Sequence, residues 1–281
     1  LYQRMLDEIA QYAQFADQAG YFGIGHPEHH LQIEGFEISN DPCLMAMWLG
    51  QHTQRMKIIT CGFVSTTNNP LQTAEKIATL DHMLKGRFGV GLVRGYQARW
   101  VENFKVKPEL NAVGPWNAKG AEDELNREYF GEFVEVVVKA LREETLTHRG
   151  KFWNFPPEGF VNPHEHPVYV DYGRGVEENM AVNAVGIAPQ TYQSEIPLYG
   201  GFSQSLTTAK FWARHKGRPI ILSSNIEFLQ VLWKEWTEEA KRWGHDVEPG
   251  DQACWGGVMV CAETDEKAQK LFEDYEWFWK T

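Results

Sequence analysis

Three histidines, a glutamate and a proline crowd the six positions "GHPEHH" (25–30), directly after the apolar run "YFGI". Histidine changes charge near neutral pH and is also the commonest metal ligand. The cluster could therefore hold a metal, move protons, or simply form a polar loop bonded to backbone. A metal site needs three or four convergent ligands. His26 and His29 stand three apart, but they follow a strand-like run and enclose Pro27, and no second His, Cys or Asp cluster stands at ligand spacing elsewhere. No metal is expected. The acid–base and polar-loop readings stay open on these residues alone.

Either role depends on what positions the loop. Ahead of it, "LYQRMLDEIAQYAQFADQAG" sets Met5, Ile9, Tyr12, Ala13 and Ala16 on one helical face, with Gly20 as a C-terminal cap. "YFGI" then reads as a short buried strand. Asp41 before Pro42 and Asn69 before Pro70 are helix starts, Gly86 closes the second of these helices, and "KIITCGFVS" and "RFGVGLV" are strands. The alternation continues through a helix at 128–144, strands near 197–201, 218–222 and 254–261, and helices at 205–215, 227–243 and 265–279. Strands are expected near 22–25, 57–64 and 87–93 in the first half. Repeated strand–helix units specify a parallel sheet covered by helices.

Six such strands are counted, and both ends read as cut within a helical pattern. Adding one strand at each end gives the eight of a (β/α)8 TIM barrel, with the first and last strands missing from this sequence. An open doubly wound sheet lacks its signature, since no GxGxxG turn follows a strand. The chain is read as a single barrel domain, 1–281, with long active-site loops at 96–126 and 145–195. Within the second, "LTHRGKFWNFP" reads as a small hairpin turning at Arg149–Gly150.

The bulk composition narrows the function. Apolar residues make up 43% of 281 residues, enough for a sizeable core. A net charge of −11 suits nucleic acid poorly, since phosphate backbones demand clustered positive charge. No apolar stretch is long enough to span a bilayer, and no secretory pattern opens the chain. Cys43, Cys61, Cys254 and Cys261 show no CxxC spacing and are expected as buried reduced thiols, which fits a cytoplasmic protein.

"EHHLQIEGFEISNDP", "NPLQTAEKIATLDHMLKGRF" and "GLVRG" stand in order, and with them the sequence resembles the bacterial luciferase-like family of flavin-dependent monooxygenases. The similarity runs continuously from Tyr21 to Gly95 and more weakly to Arg214. The resemblance implies a luciferase-like barrel. It also implies reduced FMN delivered by a separate flavin reductase, dioxygen as oxidant, a small organic substrate, and a homo- or hetero-dimer. His29 matches the family's catalytic histidine, with acid–base help at the flavin as its role. Glu28 or a backbone carbonyl is then expected to hold its ring, with His26 and His30 in support. Arg94 and Arg127 match arginines that hold the flavin phosphate. Cys61–Gly62 matches a non-proline cis peptide beneath the flavin ring.

Physical reasoning adds the phosphate's remaining partners. Arg94 lies just past a strand end, and Ser203 and Ser205 lie where a strand hands over to a helix whose N-terminus favours an anion. Some positions depart from luciferase itself. Val93 replaces a reactive cysteine, Phe202 replaces a glutamate, and 158–195 is longer, so light emission is not implied. Two alternatives remain on the sequence: a deazaflavin-dependent oxidoreductase, which moves hydride without oxygen, and a non-catalytic barrel subunit. The EHH turn favours the oxygenase over the first, and the retained His29, Arg94 and Arg127 argue against the second.

Overall fold

The computed structural model describes residues 1–31, 39–114, 120–201, 205–223, 225–251, 253–257 and 259–275. In chain order it contains α1 (Tyr2–Ala19), β1 (Gly23–His26), α2 (Pro42–Gln51), β2 (Lys57–Val64), a 3-10 turn (Ser65–Thr67), α3 (Pro70–Met83), β3 (Phe88–Val93), α4 (Ala98–Phe104) and α5 (Ala121–Arg142). There follow β4 (His148–Arg149), β5 (Asn154–Phe155), α6 (Val168–Asp171), β6 (Leu198–Gly200), α7 (Leu206–Arg214), β7 (Arg218–Leu222), α8 (Ile226–Arg242), β8 (Cys254–Gly256) and α9 (Asp265–Tyr275).

The six strands of the main sheet stand in the order β1-β2-β3-β6-β7-β8 and every pair is parallel. Spatial order therefore follows chain order without reversal. A doubly wound sheet must reverse at a switch point, whereas a barrel sheet advances one way. This is a curled parallel half-barrel of TIM-barrel type.

The caps read from the sequence are formed. Asp41 Oδ1 accepts from the backbone N–H groups of Cys43 and Leu44 at 2.8 and 3.0 Å, and Asn69 Oδ1 accepts from Leu71 N at 3.0 Å. Gly20 ends α1 at φ 85°, a conformation that favours glycine. Ile58, Phe63, Phe88, Val90, Leu92 and Leu198 of the sheet pack on Leu49, Ile77, Phe133, Val137 and Trp212 of the surrounding helices. A second cluster joins Ile221 of β7 to Ala209, Leu232 and Trp236.

Several expectations need correction. Tyr12 is 68% exposed: the buried face of α1 runs through Ala10, Ala13 and Asp17, because Asp17 turns inward to accept from the N–H groups of Gln54, Arg55 and Met56. The expected loop at 96–126 contains α4, and α5 begins at Ala121 rather than at 128. β8 stops at Gly256 instead of reaching 261, where glycines break the run. Cys261 is exposed, and the other three thiols are only partly buried. The hairpin falls where expected, with Gly150 N bonded to Trp153 O at 2.9 Å. Buried Asp81 of α3 ties the 145–195 excursion down by accepting from Gln193 N and Nε2, each at 2.7 Å.

Candidate active site

β1, β2 and β3 are parallel neighbours, so their C-terminal ends share one rim. On that rim stand His29, three residues past β1, the 3-10 turn after β2, and Arg94, one residue past β3. Barrel enzymes collect their chemistry at this face.

Glu28 fixes the loop after β1. Its buried carboxylate accepts from Val64 N at 3.0 Å, from Asn68 Nδ2 at 3.2 Å and from Thr67 Oγ1 at 3.3 Å, and it pairs with His30 Nε2 at 2.7 Å. The expectation that Glu28 holds the His29 ring is thus corrected: its oxygens go to His30 and to the end of β2. A buried carboxylate needs this many donors to offset its desolvation.

His29 is held differently. Its backbone N–H donates to Ser39 O at 2.7 Å, and Ser39 Oγ donates to Pro27 O at 2.8 Å. Its imidazole stacks on Trp100 of α4, with centroids 5.3 Å apart and planes 18° from parallel. Trp100 is fully buried. Arg99 lies over the same indole at 4.9 Å and donates from Nε to His30 O at 2.9 Å. α4 thereby closes over the histidine loop. His26 is buried deeper, and burial pushes it down to about 4, opposed only weakly by the Pro27 backbone, so it is neutral near pH 7.

The Cys61–Gly62 peptide is cis. A side-chain carbon on Gly62 would lie 2.2 Å from the carbonyl of Gly91, so the glycine is demanded by the close approach of β2 to β3. The Cys61 thiol faces Gly25 of β1, where a side-chain carbon would stand 2.8 Å from Sγ. Burial, with a smaller contribution from Cys254, pushes that thiol up to about 11, which keeps it protonated. Gly201, just past β6, packs beside Cys61 O and Val93.

Arg94 and Arg127 come together on a carboxylate that the sequence reading did not single out. Arg94 Nη1 donates to Asp123 Oδ1 at 2.7 Å and Arg127 Nε to Asp123 Oδ2 at 2.8 Å. Burial pushes the Asp123 carboxyl up, but the two arginines outweigh it and hold the group below its ordinary value. The signal in the sequence is the i, i+4 spacing of Asp123 and Arg127; a helix expected from 128 onward leaves Asp123 outside it, whereas α5 starts at Ala121. Ser205 caps α7, its Oγ accepting from Thr208 N at 3.2 Å, and no contact joins it to either arginine among the described residues. Ser203 lies outside the described residues.

The donor set fits a phosphate-bearing flavin. Guanidinium groups match phosphate oxygens geometrically, and these two sit partly exposed, Arg94 one residue past β3 and Arg127 joined to it through Asp123.

The sequence model of the luciferase-like monooxygenase family matches residues 1–281. The chain belongs to this family. It is 22% identical over 259 residues to 3,6-diketocamphane 1,6-monooxygenase of Pseudomonas putida, covering 91% of this chain and 63% of that protein. It is 23% identical over 281 residues to the alkanal monooxygenase alpha chain of the Kryptophanaron alfredi symbiont, covering 99% of this chain and 65% of that one. The chain thus spans somewhat under two thirds of the length of these curated relatives. Among solved structures, it resembles the FMN complex of the oxygenating constituent of 3,6-diketocamphane monooxygenase from Pseudomonas putida, a type II Baeyer–Villiger monooxygenase, with a TM-score of 0.70, 18% identity, and 98% and 70% of the two chains covered. It also resembles an F420-dependent secondary alcohol dehydrogenase bound to an F420–acetone adduct, with a TM-score of 0.65, 16% identity, and 96% and 70% coverage. No helix among the described residues is long and apolar enough to cross a membrane.

Proposed function

We propose that the protein is the oxygenase component of a two-component system. It takes reduced FMN from a flavin reductase and uses dioxygen to oxidise a small organic molecule. The observation that carries this reading is the convergence of Arg94 and Arg127, from separate elements, on the rim that also bears His29. When bound, reduced FMN supplies the electrons that activate dioxygen. Arg94 and Arg127 would hold its phosphate, and Ser205 at the start of α7 is assigned to the same group. Cys61 and Gly62 would lie against the flavin, with Cys61 kept as a thiol. His29 holds or moves a proton at its imidazole, and Trp100 shields one face of that ring from water.

The family membership supports a flavin reading, and the FMN-bound neighbour supports FMN in particular. The F420-dependent neighbour favours a second reading, hydride transfer with a deazaflavin. Titrating the protein with FMN and with F420, and then following oxygen uptake with a flavin reductase and NADH, separates the two. FMN binding with protein-dependent oxygen uptake is expected. F420 binding without oxygen uptake would overturn the proposal in favour of the dehydrogenase.

A further inference from the structure

Two guanidinium groups brought to one point repel each other, and long arginine side chains are costly to order when a ligand arrives. Asp123 addresses both difficulties. It stands one turn before Arg127 on α5 and takes one guanidinium on each oxygen, Arg94 from beyond β3 and Arg127 from its own helix. Relative exposure fixes the arrangement: the Asp123 side chain is 7% exposed, whereas Arg94 and Arg127 are 32% and 45% exposed. The carboxylate lies behind and the cations lie in front.

Each guanidinium carries five N–H donors, and each gives one nitrogen to Asp123. Among the described residues no other oxygen accepts from either group. Nε and Nη2 of Arg94 and both Nη atoms of Arg127 remain to meet an anion. An occupant of the anion position would be exposed and would compete with a ligand. A buried backing carboxylate does not.

We propose that Asp123 is a positioning residue that preassembles Arg94 and Arg127 into one clamp for a phosphate monoester. This rests on the flavin reading above. Coulomb's law alone makes the opposite forecast, since removing a negative charge near an anion site tightens an anion, and that conflict makes the test sharp.

The experiment measures dissociation constants of FMN and riboflavin for the parent, Asp123→Ala and Asp123→Glu by flavin fluorescence, with circular dichroism confirming the fold. Asp123→Ala is expected to weaken FMN about tenfold, the effect of leaving one or two rotamer-rich side chains unordered. Riboflavin, which lacks the phosphate, should bind every variant alike, and Asp123→Glu should recover most of the loss. Equal or tighter FMN binding in Asp123→Ala overturns the proposal while leaving the flavin reading intact. So does a loss shared equally by riboflavin, or one that Asp123→Glu fails to recover. A parent that does not distinguish FMN from riboflavin overturns the flavin-phosphate reading itself, and this proposal with it.

Discussion

The imidazole of His29 lies against the indole of Trp100, 5.3 Å between centroids and 18° from parallel. A ring stacked on a fully buried tryptophan cannot swing freely. Positioned acid–base groups contribute about 10²–10⁴-fold to rate. His29→Ala should therefore retain FMN binding and slow substrate oxidation by that order, measured as product formed per reduced flavin delivered. Oxidation at the parent rate would remove His29 from the chemistry.

Arg94→Ala tests the anion site. It removes a charge-assisted contact worth about 1.5–3 kcal/mol. The FMN dissociation constant should rise roughly tenfold to a hundredfold, with riboflavin unaffected. An unchanged constant for FMN would contradict the assignment.

Stability should fall with acid in a window set by His26, whose folded-state value is about 4 against an ordinary 6.5. Because the folded value is depressed, the unfolded chain binds the proton more readily between these limits. The contribution is complete above pH 6.5 and is lost as pH falls toward 4. At pH 5 the loss is about 2 kcal/mol, from 1.36 kcal/mol per unit. Urea unfolding at pH 7.5 and 5 should show a difference about 2 kcal/mol larger in the parent than in His26→Gln, since His215, also pushed down to about 4 by burial, contributes to both. An equal pH dependence in both would show that His26 is not its source.

Gly62→Ala should destabilise the protein strongly, because the added carbon falls 2.2 Å from the backbone carbonyl of Gly91 and neither strand can yield without breaking the sheet. Overpacking of this kind costs about 1–3 kcal/mol or more. A thermal melt within error of the parent would show that the two strands relax apart.

Thiol reactivity should divide by burial. Cys261 is exposed, whereas Cys61 is partly buried and pushed up to about 11. Thiolates are the reactive form, so iodoacetamide at pH 7.5 should label Cys261 first and Cys61 and Cys43, both pushed up to about 11, late by peptide mapping. Early labelling of Cys61 would contradict its environment.

The fold was legible because each strand–helix unit carries its own punctuation: Asp41–Pro42, Asn69–Pro70 and Gly20 act locally, and the structure forms all three. The pairing of Arg94 with Arg127 was legible only through family resemblance, since they stand 33 positions apart in the chain. The roles of Glu28 and Trp100 were not legible. Glu28 lies beside His29 in sequence, yet its oxygens turn toward a strand end 36 positions away. Trp100 stands in a stretch whose sequence carries no helical periodicity, yet it forms α4, which closes over the histidines.

The reach of Glu28 to the end of β2 bears on how this barrel can be re-engineered. The loop "GHPEHH" is no detachable cassette: Val64 N, Thr67 and Asn68 are its sockets, and they lie in another segment. Transplanting the histidines into a different scaffold requires carrying residues 64–68 along with them. A graft of the loop alone would arrive with its carboxylate unplugged.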